Sequence, residues 1–296
     1  MVSKFISKTI LLFSLILAAL TVFSGIYYYH VRKIKIDKNV NIIICGDSHT
    51  ECAINDSILK HSANISIPEQ SYIYTFNILK ILTKSNPQIN TVIIGYSFHS
   101  LSAFYDSIFL HNIEYRCPHY MPILDFNSIS VLLSSNPIAV VRSSPNVFSC
   151  MLKSLFIKSS DFSSYPFIGH YYASTVSKVT ESNINNSIRT HYIDLPPNQF
   201  FSSAQEKYLL QIIDFCSKKH IKLILLNTPV NKEYYSKIPA KFIEKYYSFS
   251  QSVKEQAILY DFHDLDLPKN CYGDSHHINA FGAKILSLKL DSLLNK

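Results

Sequence analysis

The chain has 296 residues, of which 47% are hydrophobic and 17% are charged. This is enough material for one large domain with a buried core and a short additional segment. The formal net charge of +7 at pH 7 comes mainly from scattered lysines. The one dense cationic group, Arg32, Lys33, Lys35 and Lys38, directly follows the apolar N-terminus. That position is typical of a segment next to a membrane surface, so we expect a membrane partner and no nucleic acid.

The N-terminus has the length and composition of a membrane-spanning helix. Residues 9–29 carry no charge, and about 20 apolar residues are needed to cross a hydrocarbon core of about 30 Å. Three tyrosines at residues 27–29 suit the aromatic belt at a membrane interface. The alternative is a signal peptide that is cleaved near Ser24. We predict an uncleaved single-pass anchor over residues 1–30, followed by one domain over residues 38–296.

Five short apolar runs after the anchor are predicted to be buried β-strands. They lie at residues 40–45, 63–67, 91–94, 221–226 and 257–262. Helix-like stretches lie between most of them, and this alternation predicts an α/β fold. In that fold a five-stranded parallel sheet is covered by helices on both faces. Ligands of such folds bind beyond the carboxyl ends of the strands, so the residues that follow each run are the candidates for chemistry.

Three stretches are predicted to be helices that connect these strands. Apolar residues recur at helical spacing over residues 72–82. Ser203-Ala-Gln-Glu206 resembles a capping box at a helix start, and Asn279 can cap a last helix that ends near Leu294. Between about residues 100 and 200 the alternation stops. This stretch is predicted to be a long insertion over the rim of the site rather than a second domain.

The motif Gly46-Asp47-Ser48-His49-Thr50 follows the first predicted strand. A serine in a tight turn after a strand faces the ligand-binding edge of the sheet, and its own backbone N–H can stabilise a developing oxyanion there. The alternative is structural, because Ser48-His49-Thr50-Glu51 also fits a capping box that would only begin a helix. This motif by itself leaves both interpretations open.

A second polar motif, Asp274-Ser275-His276-His277, lies after the fifth strand and just before the last helix. A hydroxyl nucleophile needs a base within reach, and the base needs a carboxylate that fixes its tautomer. A carboxylate three residues before an imidazole can meet both needs in one loop. Taken by itself, this loop could also be a solvated polar turn with no catalytic role. The two motifs together favour a catalytic triad of Ser48, Asp274 and His277.

These residues resemble the SGNH/GDSL hydrolase superfamily. Its first block stands here as Gly46-Asp47-Ser48, and its last block as Asp274, His277, Asn279 and Gly282. The resemblance implies a flavodoxin-like three-layer α/β/α sandwich and ester chemistry through an acyl-enzyme. It also implies that Ser48 is the nucleophile, His277 the general base and Asp274 the carboxylate that orients the base. A domain outside the cytoplasm and no cofactor are expected on the same ground.

The two middle sequence blocks of this chain differ from the pattern of the superfamily. No glycine occurs between Gly46 and Gly95, so a backbone N–H among residues 69–71, with Gln70 as the candidate, has to serve as the second oxyanion donor. The third block, usually Gly-x-Asn, reads Gly95-Tyr96-Ser97, where the hydroxyl of Ser97 can donate. The implied oxyanion hole therefore comprises Ser48, Gly95, Ser97 and Gln70. Loss of one such donor typically costs about 100- to 1000-fold in rate.

Other polar residues near the strand ends have alternative roles. His276 competes with His277 as the base, because some cell-envelope relatives have an Asp-x-His spacing, although the position of Gly282 favours His277. Substrate binding is predicted for Asn227, Tyr234 and His276. The group around the end of the fifth strand has no ligand spacing typical of a metal site, so no metal is expected; it comprises His263, Asp264, Asp266, Cys271 and His276.

Two functions of different classes follow from these patterns. The first is a membrane-anchored serine esterase or O-acyltransferase that removes or adds an acyl group, in particular acetyl, on a cell-surface polysaccharide. The triad motivates the acyl chemistry, and the anchor motivates the polysaccharide. The second is a non-catalytic assembly or binding protein of the cell envelope on the same scaffold, which the incomplete oxyanion blocks motivate.

Overall fold

The computed structural model describes residues 2–111, 113–176 and 179–294, so the predicted limits at residues 1 and 296 lie outside the described part. Its five strands form one sheet and are β1 Ile42–Cys45, β2 Ser62–Asn64, β3 Thr91–Gly95, β4 Lys222–Asn227 and β5 Ile258–Asp261. All neighbouring strands run parallel, in the order β2-β1-β3-β4-β5. This is the flavodoxin-like order. The predicted α/β fold with a five-stranded parallel sheet is confirmed.

Twelve α-helices accompany the sheet in the described residues. They are α1 Val2–Val31, α2 Ser48–Ala53, α3 Tyr72–Ser85, α4 Phe104–His111, α5 Ile113–Tyr120, α6 Phe126–Ser135, α7 Pro137–Ser154, α8 Glu181–Ile188, α9 Ser203–Lys218, α10 Lys232–Ser236, α11 Ala240–Ser252 and α12 Ala280–Leu294. Helices α4 to α8 lie between β3 and β4, in the stretch where the sequence shows only scattered helical patterns. A short π-helical turn, Arg189–Ile193, follows α8.

The two faces of the sheet are covered by different helices because alternate side chains of each strand point to opposite faces. Ile43 and Cys45 of β1 belong to the larger core, which includes buried residues of α3, α9 and α11. Ile42 and Ile44 belong to a smaller core with residues of α2 and α12. The strands are therefore apolar almost throughout, as expected for a parallel sheet that is buried on both faces. The result is a three-layer α/β/α sandwich.

Three helix starts test the capping predictions. Helix α2 begins at Ser48, but its N-cap is Asp47, whose carboxylate accepts the backbone N–H of His49 at 2.9 Å. The capping-box interpretation of Ser48 is therefore wrong. Helix α9 is capped by Ser202 rather than Ser203, through a bond from the Gln205 N–H at 3.0 Å. Asn279 does cap α12, because its side-chain oxygen accepts the backbone N–H of Phe281 at 2.9 Å.

Helix α1 is long and apolar enough to cross a membrane or to act as a signal sequence. The stretch Lys4–Val31 has a mean hydropathy of 2.4 in its most apolar window, and none of that window is buried. The last turns of α1 contact the domain: Tyr27 and Val31 are buried, and the ring of Phe23 lies 4.7 Å from the ring of Phe148. The apolar part of α1 thus projects from the domain without a protein surface to cover it.

Candidate active site

Ser48 and His277 meet at the carboxyl edge of the sheet. Ser48 comes three residues after β1, and His277 lies in the loop between β5 and α12. Oγ of Ser48 and Nε2 of His277 are 2.8 Å apart. Nδ1 of His277 is 2.7 Å from Oδ2 of Asp274. With the proton on Nδ1 donated to Asp274, Nε2 carries a lone pair and accepts the hydroxyl proton of Ser48. The three predicted triad residues therefore form one hydrogen-bonded chain.

Asp274 is an acceptor held in place by its own loop. Its Oδ1 accepts the backbone N–H groups of His276 and His277, at 2.9 and 2.8 Å. Burial alone would raise the pKa of Asp274, but the hydrogen bonds from the His277 ring and from the His276 N–H outweigh burial and hold this pKa well below its ordinary value. Asp274 is therefore ionised at every pH at which the protein works, as an orienting carboxylate has to be.

The loop that carries Asp274 and His277 is fastened to the start of α12. Asn279 donates from its side-chain nitrogen to the carbonyls of Asn270 and Tyr272, at 2.7 and 3.1 Å. Gly273 donates its backbone N–H to the carbonyl of His277 at 2.9 Å. The residue that caps α12 thus also fixes the loop. This explains physically why a polar residue is needed two positions after His277.

Ser48 is positioned by a close approach between β1, β3 and α2. A Cβ added at Gly46 would lie 2.2 Å from Oγ1 of Thr50 and 3.2 Å from Cα of Gly95. A Cβ added at Gly95 would lie 2.8 Å from Cγ2 of Thr50. Only glycine at both positions allows Thr50, and with it the first turn of α2, to pack directly on the strand ends. This packing fixes the distance of Ser48 from the sheet.

Asp47 forms a second, deeply buried histidine–carboxylate pair behind the triad. Its Oδ2 is 3.0 Å from Nε2 of His99 and also accepts the hydroxyl of Tyr105. Burial alone would raise the pKa of Asp47, but the bonds from His99, Tyr105 and the His49 N–H hold this pKa well below its ordinary value. Asp47 therefore connects the end of β1 with the turn after β3 and with helix α4. It also places a negative charge next to Ser48.

Five histidine rings pack against one another around this site. Ring centroids are 4.7 Å apart for His49 and His277, 4.6 Å for His49 and His99, and 4.0 Å for His276 and His277. The ring of His191, from the π-helical turn, stacks on that of His99 at 4.6 Å. Burial, and then the neighbouring imidazoles, hold the pKa values of His49, His191 and His276 well below the ordinary value. These three rings are therefore neutral at pH 7.

The predicted oxyanion residues are placed unequally. In the described part of the chain the backbone N–H of Ser48 has no hydrogen-bond acceptor. The backbone N–H of Ser97 donates to Oγ of Ser100 at 2.8 Å, whereas the predicted donor of this residue is its hydroxyl. The N–H of Gln70 donates to the carbonyl of Ile67 at 3.1 Å, and its side-chain nitrogen to Thr75 at 3.0 Å. Gly95 packs against the first turn of α2. Of the four, Ser48 has the backbone N–H that is open to an oxyanion.

The predicted substrate-binding residues also differ in position. Tyr234 stacks on His276, with ring centroids 5.4 Å apart, and its hydroxyl is 2.8 Å from Nδ1 of His191. His276 does not take the position of the base in this structure: its Nδ1 faces Oγ of Ser275 at 2.9 Å, and it is His277 that contacts Ser48. Asn227 is fully buried at the end of β4. Tyr234 and His276 thus pack beside the triad, but Tyr234, at 1% exposed, is buried as Asn227 is.

Sequence reasoning missed several residues that the fold brings to the site. His99 and Tyr105 could have been found, because both follow β3 and polar residues after a parallel strand are candidates by position. His191 carries no such signal, since it comes from the middle of the long segment between β3 and β4. Glu51 faces the same region from α2, and burial raises its pKa to about 7. The sequence pattern indicates for Glu51 only a place in a capping box.

Comparisons with known proteins add little to this geometry. A protein-family model whose description states no function matches residues 180–296. No curated protein matches the chain significantly. One solved structure, described as that of a "putative platelet activating factor" from Streptococcus pneumonia, has 13% identity and a TM-score of 0.41. The match covers 97% of this chain and 98% of that one. A likeness of this strength carries no argument about activity.

Proposed function

We propose that this chain is a membrane-anchored SGNH/GDSL-type serine esterase or O-acyltransferase. The observation that carries the proposal is the unbroken chain of hydrogen bonds from Ser48 through His277 to Asp274, at 2.8 and 2.7 Å. Nucleophile, base and orienting group need this reach and this order. Ser48 is also only partly buried, so an ester can approach its hydroxyl.

The reaction proceeds in two steps in this proposal. Oγ of Ser48 attacks the ester carbonyl while His277 takes its proton, and collapse of the tetrahedral intermediate releases the alcohol, which receives that proton from His277. Water or a sugar hydroxyl then attacks the acyl-enzyme, again with His277 as base, and Ser48 regains its proton. The two acceptors attack the same intermediate, so esterase and transferase share one mechanism. The open N–H of Ser48 is the first oxyanion donor.

The proposed substrate is an acetyl ester on a cell-surface polysaccharide. Three cavities of about 480, 390 and 550 Å³ lie elsewhere on the protein, and none of them is lined by a triad residue. A small acyl group needs no such cavity at the nucleophile. Tyr172 is 55% exposed and lies beside α2, where its backbone N–H bonds to the carbonyl of Glu51 at 3.0 Å. An exposed aromatic ring in that place can stack on a sugar.

The test compares wild type with Ser48→Ala on a small acetyl ester such as p-nitrophenyl acetate. Loss of the nucleophile costs more than about 10⁴-fold in triads of this kind, so the rate of hydrolysis should fall by at least that factor. The matched control is Ser248→Ala, which removes an exposed hydroxyl that bonds only the carbonyl of Lys245; it should retain full activity. Equal activity of Ser48→Ala and wild type would end the proposal.

A non-catalytic binding role on the same scaffold is the second candidate. One observation favours it: the backbone N–H of Gln70 already donates to the carbonyl of Ile67, so the second backbone donor that the resemblance implies is not free in this structure. Binding of an acetylated polysaccharide that is the same in wild type and Ser48→Ala, without turnover in either, would support this role.

A further inference from the structure

Three histidines of the site have ring nitrogens that lie close to one another. One nitrogen on each of His49, His276 and His277 lies within 4.8 Å of those on the other two. Nδ1 already has a partner on every ring. It lies 3.4 Å from Oγ1 of Thr228 on His49, 2.9 Å from Oγ of Ser275 on His276 and 2.7 Å from Oδ2 of Asp274 on His277. Nε2 is therefore the nitrogen with which each ring can bind a further ligand, although on His277 it also accepts the hydroxyl of Ser48 at 2.8 Å.

His49 supplies independent evidence that this point is suited to a ligand. Its ring is only 3% exposed, and its Nε2 is buried without a hydrogen-bond partner in the described residues. A buried polar atom without a partner has lost its water without gaining a hydrogen bond, which is unfavourable. Nothing in the proposed ester reaction uses this atom. With its proton on Nδ1 towards Thr228, His49 presents a lone pair on Nε2 to its neighbours.

We propose that His49, His276 and His277 bind one transition-metal ion of the Zn²⁺ class through their Nε2 atoms. Neutral imidazole is the form that binds metals, and Zn²⁺ accepts three histidines with Zn–N distances of about 2.0–2.1 Å. The Asp274 carboxylate on Nδ1 of His277 is the partner that orients and strengthens a metal-bound histidine. Binding needs small ring movements, because ligands of a tetrahedral ion lie about 3.4 Å apart.

The metal and Ser48 compete for the same lone pair. Nε2 of His277 accepts the hydroxyl of Ser48 at 2.8 Å in the metal-free site. A metal ion on that nitrogen leaves the hydroxyl without its base, so the ion inhibits acyl transfer and does not assist it. Ser48 or a water molecule fills the fourth position. The inhibition part of this inference rests on the proposed function, whereas the binding part does not.

Metal binding is measured without reference to activity. Full-length protein is stripped with a chelator and titrated with Co²⁺, whose tetrahedral complexes absorb strongly in the visible, and with Zn²⁺ by calorimetry. We expect one equivalent to bind and Ser48→Ala to bind as wild type does. His49→Ala should weaken binding by at least about 100-fold. The control, His263→Ala, removes a histidine that pairs with Asp261 outside the three-histidine group and should bind as wild type does.

Several outcomes would overturn the inference. Binding of less than half an equivalent, or equal affinity in wild type and His49→Ala, would exclude the site. If His49→Ala does not fold, His49→Gln takes its place, and a Zn²⁺-dependent rise in melting temperature that is lost in this variant is the second readout. Acetyl-ester hydrolysis should fall with bound Zn²⁺ and return with chelator; bound Zn²⁺ with an unchanged rate would refute the inhibition. Absence of any hydrolysis without metal would count against the proposed function alone.

Discussion

Replacing Gly95 with alanine perturbs the contact between β3 and α2 that sets the position of Ser48. The new Cβ would lie 2.8 Å from Cγ2 of Thr50 and 3.1 Å from its Oγ1. Non-bonded carbon atoms favour about 3.5–4.0 Å, so Thr50 has to move by about 0.7 Å or more. Thr50 lies two residues after Ser48 in the same short helix. The displacement therefore reaches the nucleophile.

Both stability and rate should fall in Gly95→Ala. Overpacking of this kind costs about 1–3 kcal/mol in the free energy of unfolding. A misplacement of about 1 Å in an active site can cost about 100-fold in rate. Urea unfolding measures the first quantity. The value of kcat/KM for p-nitrophenyl acetate measures the second.

Thr50→Ala provides the matched control for this substitution. It removes both atoms that a Cβ at Gly95 would approach most closely, and the next contact, Cα of Gly46 at 3.5 Å, is an ordinary one. The double variant should regain about 1 kcal/mol or more relative to the sum of the single effects, as neighbours in contact do. Wild-type behaviour of Gly95→Ala, or additivity of the two substitutions, would refute the reasoning.

Three further predictions concern the carboxylates and the anchor. Asp274→Asn should lower kcat by about 10⁴-fold with an unchanged circular dichroism spectrum, because the amide favours the wrong tautomer of His277; a loss below tenfold would contradict this. Burial raises the pKa of Glu51 from 4.5 to about 7, so the folded state keeps a proton that the unfolded chain loses, and the free energy of unfolding should fall between pH 4.5 and 7 by about 1–3 kcal/mol. Chemical unfolding at both pH values should show a smaller fall for Glu51→Gln. Protein expressed from the full sequence should stay in the membrane fraction after alkaline washing, and its intact mass should include the N-terminal residues. An intact mass that corresponds to a chain starting after Ser24 would instead indicate a cleaved signal peptide.

The fold could be predicted because its signals are local. Continuous apolar runs for β1, β3 and β4 indicate strands buried on both faces, and the observed bounds differ from the predicted ones by two residues or fewer. The weakest prediction was β2, taken as residues 63–67 but observed as Ser62–Asn64. The stretch after Asn64 still bonds to the end of β1, because the N–H groups of Ile65 and Ile67 donate to the carbonyls of Ile44 and Gly46 at 2.9 and 3.1 Å. Pro68 follows and has no N–H with which to continue this pairing.

The site could be predicted only in part. Ser48, Asp274 and His277 could be proposed from the sequence because each lies beside a strand end or a helix start that the sequence marks, and the structure brings the three side chains together. Sequence spacing could not show that His49 and His191 approach the same point, because that contact depends on how the long segment between β3 and β4 folds back. The capping-box alternative for Ser48 fails for a physical reason as well: Asp47 is the better acceptor for the first turn of α2 and leaves the serine hydroxyl free for His277.

Reaction with a fluorophosphonate tests the central claim most directly. An activated Ser48 would attack phosphorus through Oγ, with fluoride as the leaving group and His277 as the base. We predict one adduct per chain at Ser48 by peptide mass spectrometry in metal-free wild type, and none in His277→Ala. Folded wild type that carries no adduct at Ser48, or labelling that is equally fast in His277→Ala, would contradict the account.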